Sequence, residues 1–441
     1  SDVCSSDLSA SHLLWVTTFM FLQTHQAFPL DIHTVNSSSG IVAWLSDSRQ
    51  LPVIVVDFAL IGAGSASDPD DKRGLANFGA QMLSEGAGVF DAKAFQEQLA
   101  DIGATLSFAA DRDALVGHLE VAREHRNRAF DLLRLALLQP RFDLEAIERV
   151  RIKRDVDLAR LDNDPAYVAS RAWWEAAFPE HPYKYPPLGS REANGRITSA
   201  DLQNFQSRLT NSKLVVAAAG DVNAAELSDL LDRGFPNGSK GRGIDARAKA
   251  EYRTFAPAIV RLPFPQSACV FGQPGISPTS AEYLPMLVLN HILGGGTLTS
   301  RLFVQLRERR GLVYSIRTAP ETLSQADLLI GRFATENVKT QAAIETIQAE
   351  WRRMAQGEIL DKEIAAAKSY LKDMLPVSMD GTSAISSRLL AVQRMTQGID
   401  YIQQWRNRIE SVEPELVRRT ARKVFVTDVL TFAVAGEPNG L

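Results

Sequence analysis

Lys213-Leu-Val-Val-Ala-Ala-Ala-Gly-Asp-Val-Asn223 decides the fold of this chain, because it returns as Val429-Leu-Thr-Phe-Ala-Val-Ala-Gly-Glu-Pro-Asn439. Both are short apolar runs closed by glycine and an acidic residue, the pattern of a buried strand that ends in a turn. Their glycines, Gly220 and Gly436, stand 216 positions apart. The likeness extends upstream. Pro52–Leu60 leads into Asp68-Pro69 and a helix from about Gly74, as Ala268–Phe271 leads into Pro278 and a helix from Ala281. Solenoid repeats have periods of roughly 20 to 50 residues. A period this much longer means that a whole domain is duplicated.

Within each half strands come early, long helices follow at Ile147–Leu161 and Ile359–Asp380, and a further strand closes. That order predicts an α+β fold: two homologous domains, each a largely antiparallel sheet with helices packed on it. Asn237-Gly-Ser-Lys-Gly-Arg-Gly243 has the glycine and charge of a linker. The expected organisation is a tail or signal-like segment at 1–30, a first domain at 31–236, a linker at 237–246 and a second domain at 247–441.

A length of 441 residues exceeds one ordinary core, and 45% apolar residues suffice to fill two. The balance of 48 basic and 52 acidic side chains has no basic blocks, which argues against nucleic acid as a partner. Cys4 and Cys269 are the only cysteines, so there is neither a disulfide framework nor a cysteine metal site. Leu13–Leu22 has the length of a signal-peptide core and is too short to span a bilayer, so no transmembrane segment is expected. Residues 1–12 lack the basic n-region of a signal. Export to the periplasm is the expectation, with a cytoplasmic location as the alternative and a first strand near Asp31–Val35.

The stretch from Gly294 to Tyr314 carries the candidate chemistry. A helix Ala281–Leu293 puts Leu284, Leu287, Val288 and Ile292 on one face and meets Gly294, Gly295 and Gly296, which suit a turn through positive φ. Ser300 suits the cap of a second helix with Leu302, Phe303 and Leu306 inside, Gly311 suits its C′ residue, and Leu312–Ile316 reads as a strand. Arg307 and Tyr314 then converge on one surface patch, where a guanidinium and a phenol can donate to peptide carbonyls or an oxyanion. The plain alternative is a solvated helix charge beside a half-buried aromatic.

With Gly294-Gly-Gly-x-x-x-Ser-Arg-Leu302 and Leu306-Arg-x-x-Arg-Gly-Leu-x-Tyr314 in the second of two such halves, the chain resembles the pitrilysin/insulinase-type zinc peptidases over nearly its whole length. By length it is similar to the subgroup of mitochondrial processing peptidase and bacterial two-subunit peptidases. That resemblance implies half-clamshell subunits that pair. It also implies an inverted zinc motif, His-x-x-Glu-His, on the first long helix of the first half.

Here that helix reads Gly74-Leu-Ala-Asn-Phe-Gly-Ala-Gln-Met-Leu-Ser-Glu-Gly86. Asn77 and Gln81 stand at the two histidine positions and Ala80 at that of the general base. Carboxamides are poor Zn²⁺ ligands and a methyl group takes no proton. The third ligand position falls near Asp157, which cannot restore the site alone. No cofactor is therefore expected in this chain. His118 and His125, flanked by Glu120 and Glu124, form no compact ligand motif. A Gly-x-Ser-x-Gly elbow, a Walker loop and a dinucleotide fingerprint are all missing.

The resemblance carries two functional expectations. In the first, the chain is the zinc-less subunit of a heterodimeric metalloendopeptidase. A paralogous partner supplies zinc and His-x-x-Glu-His, and Arg307 and Tyr314 assist its site in trans, with Gly294, Gly295 and Gly296 as substrate-binding loop. In the second, it is a non-enzymatic scaffold or peptide-binding protein of the same fold.

Overall fold

Eleven strands among the described residues form two sheets. The computed structural model describes residues 30–235 and 249–441; the apolar segment 13–22 and the expected linker 237–246 lie outside them. The first sheet holds β1 (His33–Asn36), β2 (Val42–Asp47), β3 (Val53–Ile61), β4 (Thr105–Ala110), β5 (Ala114–Ala122) and β6 (Lys213–Gly220), in the order β1-β2-β6-β3-β5-β4. The second holds β7 (Ala258–Arg261), β8 (Gln266–Pro274), β9 (Ile316–Thr322), β10 (Asp327–Glu336) and β11 (Thr431–Gly436), in the order β7-β11-β8-β10-β9.

Without β1 the two orders coincide. In each sheet one pair is parallel, β2 with β6 and β7 with β11, and the other pairs are antiparallel. The strand that announces the duplication is thus an interior strand of both sheets. Its closing glycines are required by geometry: Gly220 has φ +116° and Gly436 φ +144°. A Cβ would run into Val53 O at the first and stand 2.5 Å from Ser267 Oγ at the second.

One face of each sheet carries helices of its own half, around Phe58, Phe78, Phe130 and Phe205 in the first and Phe271, Trp351, Phe425 and Phe432 in the second. The other face is covered by a helix from the opposite half. Pro165–Ala177, which starts with Asp164 accepting from Ala166 N and Pro165 in the first turn, lies on β7, β8 and β11. It buries Trp173 and Trp174 against Val270, Ile330, Ala433 and Ala435.

In return Thr382–Arg394 lies on β3 and β6. Ser386 Oγ accepts from Asp57 N (3.2 Å) and donates to Ala217 O (3.3 Å), Gln393 Nε2 donates to Val216 O (2.9 Å), and Arg394 pairs with Asp111 (2.6 Å). The two exchanged helices tie the halves together, one by aromatic burial and the other largely through polar groups.

Candidate functional site

The helix Leu75–Met82 buries Leu75, Phe78 and Met82 in the first core, as the apolar spacing predicts. Its start is held by the buried Asp68 carboxylate, which accepts from Gly74 N and Ala76 N (both 3.1 Å) and pairs with Arg208 (3.0 Å). Burial pushes the Asp68 carboxyl above its usual range, while Arg208 and the two backbone donors pull the other way. Asn77 and Gln81, one turn apart, are half-buried and face each other, with Gln81 Nε2 donating to Asn77 Oδ1 (3.2 Å); Ala80 is buried.

The group beside them is an arginine that the motif reading missed. Arg154, on the helix Leu144–Leu161, is 2% exposed and donates through Nη1 to Asn77 Oδ1. Its Nε donates to Asn194 Oδ1 (3.0 Å), its Nη2 to Leu188 O (2.9 Å), and its guanidinium lies 5.3 Å from the Phe78 ring centroid. Burial lowers its pKa to about 10, opposed by the more distant charges of Asp68, Asp155 and Asp157. A signal for it existed in the sequence, because Ile147, Val150, Arg154 and Leu158 are spaced as one buried helix stripe interrupted by a charge. Asp157 is exposed and makes no hydrogen bond or ion pair among the described residues.

This donor set does not fit zinc. Asn77 Oδ1 already accepts from an amide and a guanidinium, Gln81 offers a carboxamide, and a buried cation stands against the first ligand position. Among the described residues no group of three or more His, Cys, Asp or Glu could hold a metal ion. His118 is engaged elsewhere, its Nδ1 2.8 Å from Asp57 Oδ1.

The glycine segment departs from its expected form. The helix Tyr283–Asn290 does not stop at Gly294; it widens into a π turn, His291–Gly295, and none of the three glycines has positive φ. Close approach is what requires them. A Cβ on Gly294 would stand 2.6 Å from Thr318 Oγ1, one on Gly295 would overlap Asn290 Nδ2, and one on Gly296 would stand 2.6 Å from His291 O. Val288 and Ile292 are buried, whereas Leu284 and Leu287 are half-buried.

Ser300 holds the N-cap position of Arg301–Phe303 in extended backbone without a side-chain capping bond. The helix then widens again, over Val304–Arg309, and Gly311 ends it at φ +57° as a C′ residue, its N–H on Arg307 O (3.1 Å). The strand expected from Leu312 starts only at Ile316, because Leu312 N and Val313 N turn back to Leu306 O.

That turn brings Arg307 and Tyr314 together. Arg307 Nη1 donates to Tyr314 O, and the guanidinium lies 4.5 Å from the Tyr314 ring centroid and 5.3 Å from that of Phe303. Tyr314 is 80% exposed. Among the described residues its hydroxyl makes no hydrogen bond and Arg307 has no ion pair. Arg301, from the same motif, serves packing: it forks onto Glu363 (2.7 Å twice) and donates to Glu358 O (2.6 Å).

Comparison with known proteins agrees with both halves. Residues 56–190 match the insulinase (peptidase family M16) model and 196–371 the peptidase M16 inactive domain model. The non-peptidase homolog YmxG of Helicobacter pylori is 25% identical over 366 residues, 82% of this chain and 83% of its own. The mitochondrial-processing peptidase subunit beta of Blastocladiella emersonii is 25% identical over 342 residues, 75% of this chain and 72% of its own. The crystal structure of a peptidase M16 inactive domain from Pseudomonas fluorescens superposes with a TM-score of 0.85 at 21% identity, covering 93% of this chain and 99% of that one. With a duplicated sheet, a motif helix holding carboxamides in place of zinc ligands and these matches, the chain belongs to the insulinase, or M16, peptidase family as a zinc-less member.

Proposed function

We propose that this chain is the accessory subunit of a two-chain zinc metalloendopeptidase. It presents Arg307 and Tyr314 to a peptide held at the zinc site of a paralogous partner that carries His-x-x-Glu-His. One observation supports this above the others: a half-buried guanidinium within cation–π distance of two aromatic rings, one of them the exposed phenol of Tyr314, in a chain whose own motif helix is closed to metal.

The two rings lie beside the guanidinium without neutralising it. One Nη1 hydrogen goes to Tyr314 O, so the other Nη1 hydrogen, Nε, Nη2 and the Tyr314 hydroxyl are the donors left for a peptide carbonyl and for charge that develops on it. The partner supplies the metal-activated water. The glycine segment packs closely on Thr318, Leu302, Asn290 and His291, and in this reading its part in substrate binding is to hold the strand and helix that flank the pair.

A second reading, peptide binding without cleavage, is favoured by the likeness to a protein named as a non-peptidase homolog. Reconstitution separates the two. The chain and a paralogue bearing His-x-x-Glu-His are assayed alone and mixed, for bound zinc and for cleavage of an unfolded peptide. Cleavage by the mixture alone supports the accessory subunit; peptide binding with no cleavage in any mixture supports the second reading. Chelator-sensitive cleavage by this chain alone would overturn both.

We place the chain in the periplasm on the strength of segment 13–22, a proposal that fractionation of the natural full-length protein checks. No helix among the described residues is long and apolar enough to cross a membrane.

A further inference from the structure

Buried guanidinium groups are ordinarily matched by carboxylates, since an unpaired charge in the interior is costly. Arg154 is not. Its acceptors are all neutral: Asn77 Oδ1, Asn194 Oδ1, Leu188 O and, at 3.5 Å, Gly74 O. No carboxylate lies within ion-pair distance among the described residues, and the nearby Asp155 is engaged by Asn194 Nδ2 (2.7 Å). These four acceptors belong to three separate segments: the motif helix and its start, the loop before Gly189, and the helix Arg191–Arg196. A single cation reaching out from the helix Leu144–Leu161 gathers them. Carboxamide and carbonyl oxygens converging on one positive charge is an arrangement in which the charge itself organises the site.

We propose that Arg154 is the resident cation of this site, a guanidinium that does structurally what a bound metal would do between the two helices. Two consequences follow from electrostatics. First, the zinc-less state is locked: returning the missing ligands leaves a positive charge against the first of them, and a divalent ion and a guanidinium repel strongly at such range in a poorly hydrated interior. Second, Asn77 is selected as an acceptor for Arg154. An imidazole there would have to give its lone pair either to the arginine or to the metal. The inference concerns this chain's own residues and stands whether or not a partner subunit exists.

The test uses the full chain and zinc alone as probe. One variant carries Asn77→His, Ala80→Glu, Gln81→His and Asp157→Glu with Arg154 kept; a second adds Arg154→Ala. Zinc is measured by competition with a chromophoric chelator and by metal content after dialysis. The expected result is one zinc per chain only in the second variant, with affinity at least ~100-fold above that of the first. Equal zinc affinity in the two overturns the proposal.

Because the second variant could fail to fold, Asn77→Asp in the otherwise natural chain gives an independent reading. A carboxylate in place of that carboxamide pairs with Arg154 if the guanidinium is the organising cation, and the thermal midpoint rises. A midpoint that falls or stays put overturns the proposal by itself.

Discussion

The Arg307 guanidinium donates to the carbonyl of Tyr314 and lies 4.5 Å from the centroid of the same residue's ring. The pair is therefore one unit: the arginine holds the turn that exposes the phenol, and the phenol ring lies within cation–π distance of the arginine. A change at either position disturbs both.

In a reconstituted active pair, Tyr314→Phe and Arg307→Ala are expected to lower kcat by roughly 10²- to 10³-fold, the usual loss for an oxyanion donor. Association of the two chains should fall far less than turnover, because the disturbance is confined to the turn that carries the pair. Arg307→Lys should recover little, since an ammonium lacks the planar fork that can donate to Tyr314 O and to a substrate carbonyl together. Steady-state kinetics beside sedimentation of the pair checks this; normal turnover in both variants would remove the proposed role.

Gly295→Ala is expected to destabilise the second half by about 1–3 kcal/mol, because its methyl overlaps Asn290 Nδ2. Gly311→Ala, where a Cβ meets nothing within 4 Å, should cost only the strain of φ +57°, about 1 kcal/mol. Denaturant unfolding of the two variants gives the ranking. The reverse order would show that close approach to Asn290 is not what requires glycine at 295.

The exchanged helices should differ in cost. Trp173 is fully buried among Trp174, Phe178 and Tyr252, so Trp173→Ala is expected to cost about 3–5 kcal/mol. Ser386→Ala removes two longer hydrogen bonds and should cost about 1 kcal/mol. Comparable losses in the two variants would mean that the aromatic seam does not dominate.

His118 makes the polar seam sensitive to pH. The hydrogen bond to Asp57 raises its pKa above the ordinary 6.5, with the charges of Asp57 and Glu120 adding and burial opposing. Glu120 in turn accepts from Ser383 of the exchanged helix (2.8 Å), and the second Asp57 oxygen is buried without a partner among the described residues. The folded state holds its proton more tightly than the unfolded one. The resulting stability is complete below about pH 6.5 and is lost as pH rises through the raised folded value. Thermal midpoints measured from acid to alkaline pH should show that decline, and His118→Gln should flatten it; an unchanged profile in the variant would assign the decline to other groups.

Much of the fold was legible without coordinates. The two Gly-terminated strands, the α+β order and the apolar stripe of Leu75, Phe78 and Met82 are local patterns, and each forms where the spacing puts it. The candidate pair was legible for the same reason, since Arg307 and Tyr314 are seven residues apart across one turn. The glycine run was misread because glycine answers to two demands, positive φ and a close neighbour, and sequence shows only the residue. Arg154 was missed because its meaning depends on Asn77, distant in the chain.

What the sequence alone determined, then, was the duplication and the loss of histidine and glutamate from the motif helix: periodicity and side-chain chemistry are properties of neighbouring residues. Only the tertiary structure decided that each sheet is covered by a helix of the other half and that a buried guanidinium occupies the place beside Asn77. Both depend on packing between segments remote in sequence, where the cost of burying a surface or a charge is settled by which groups meet it.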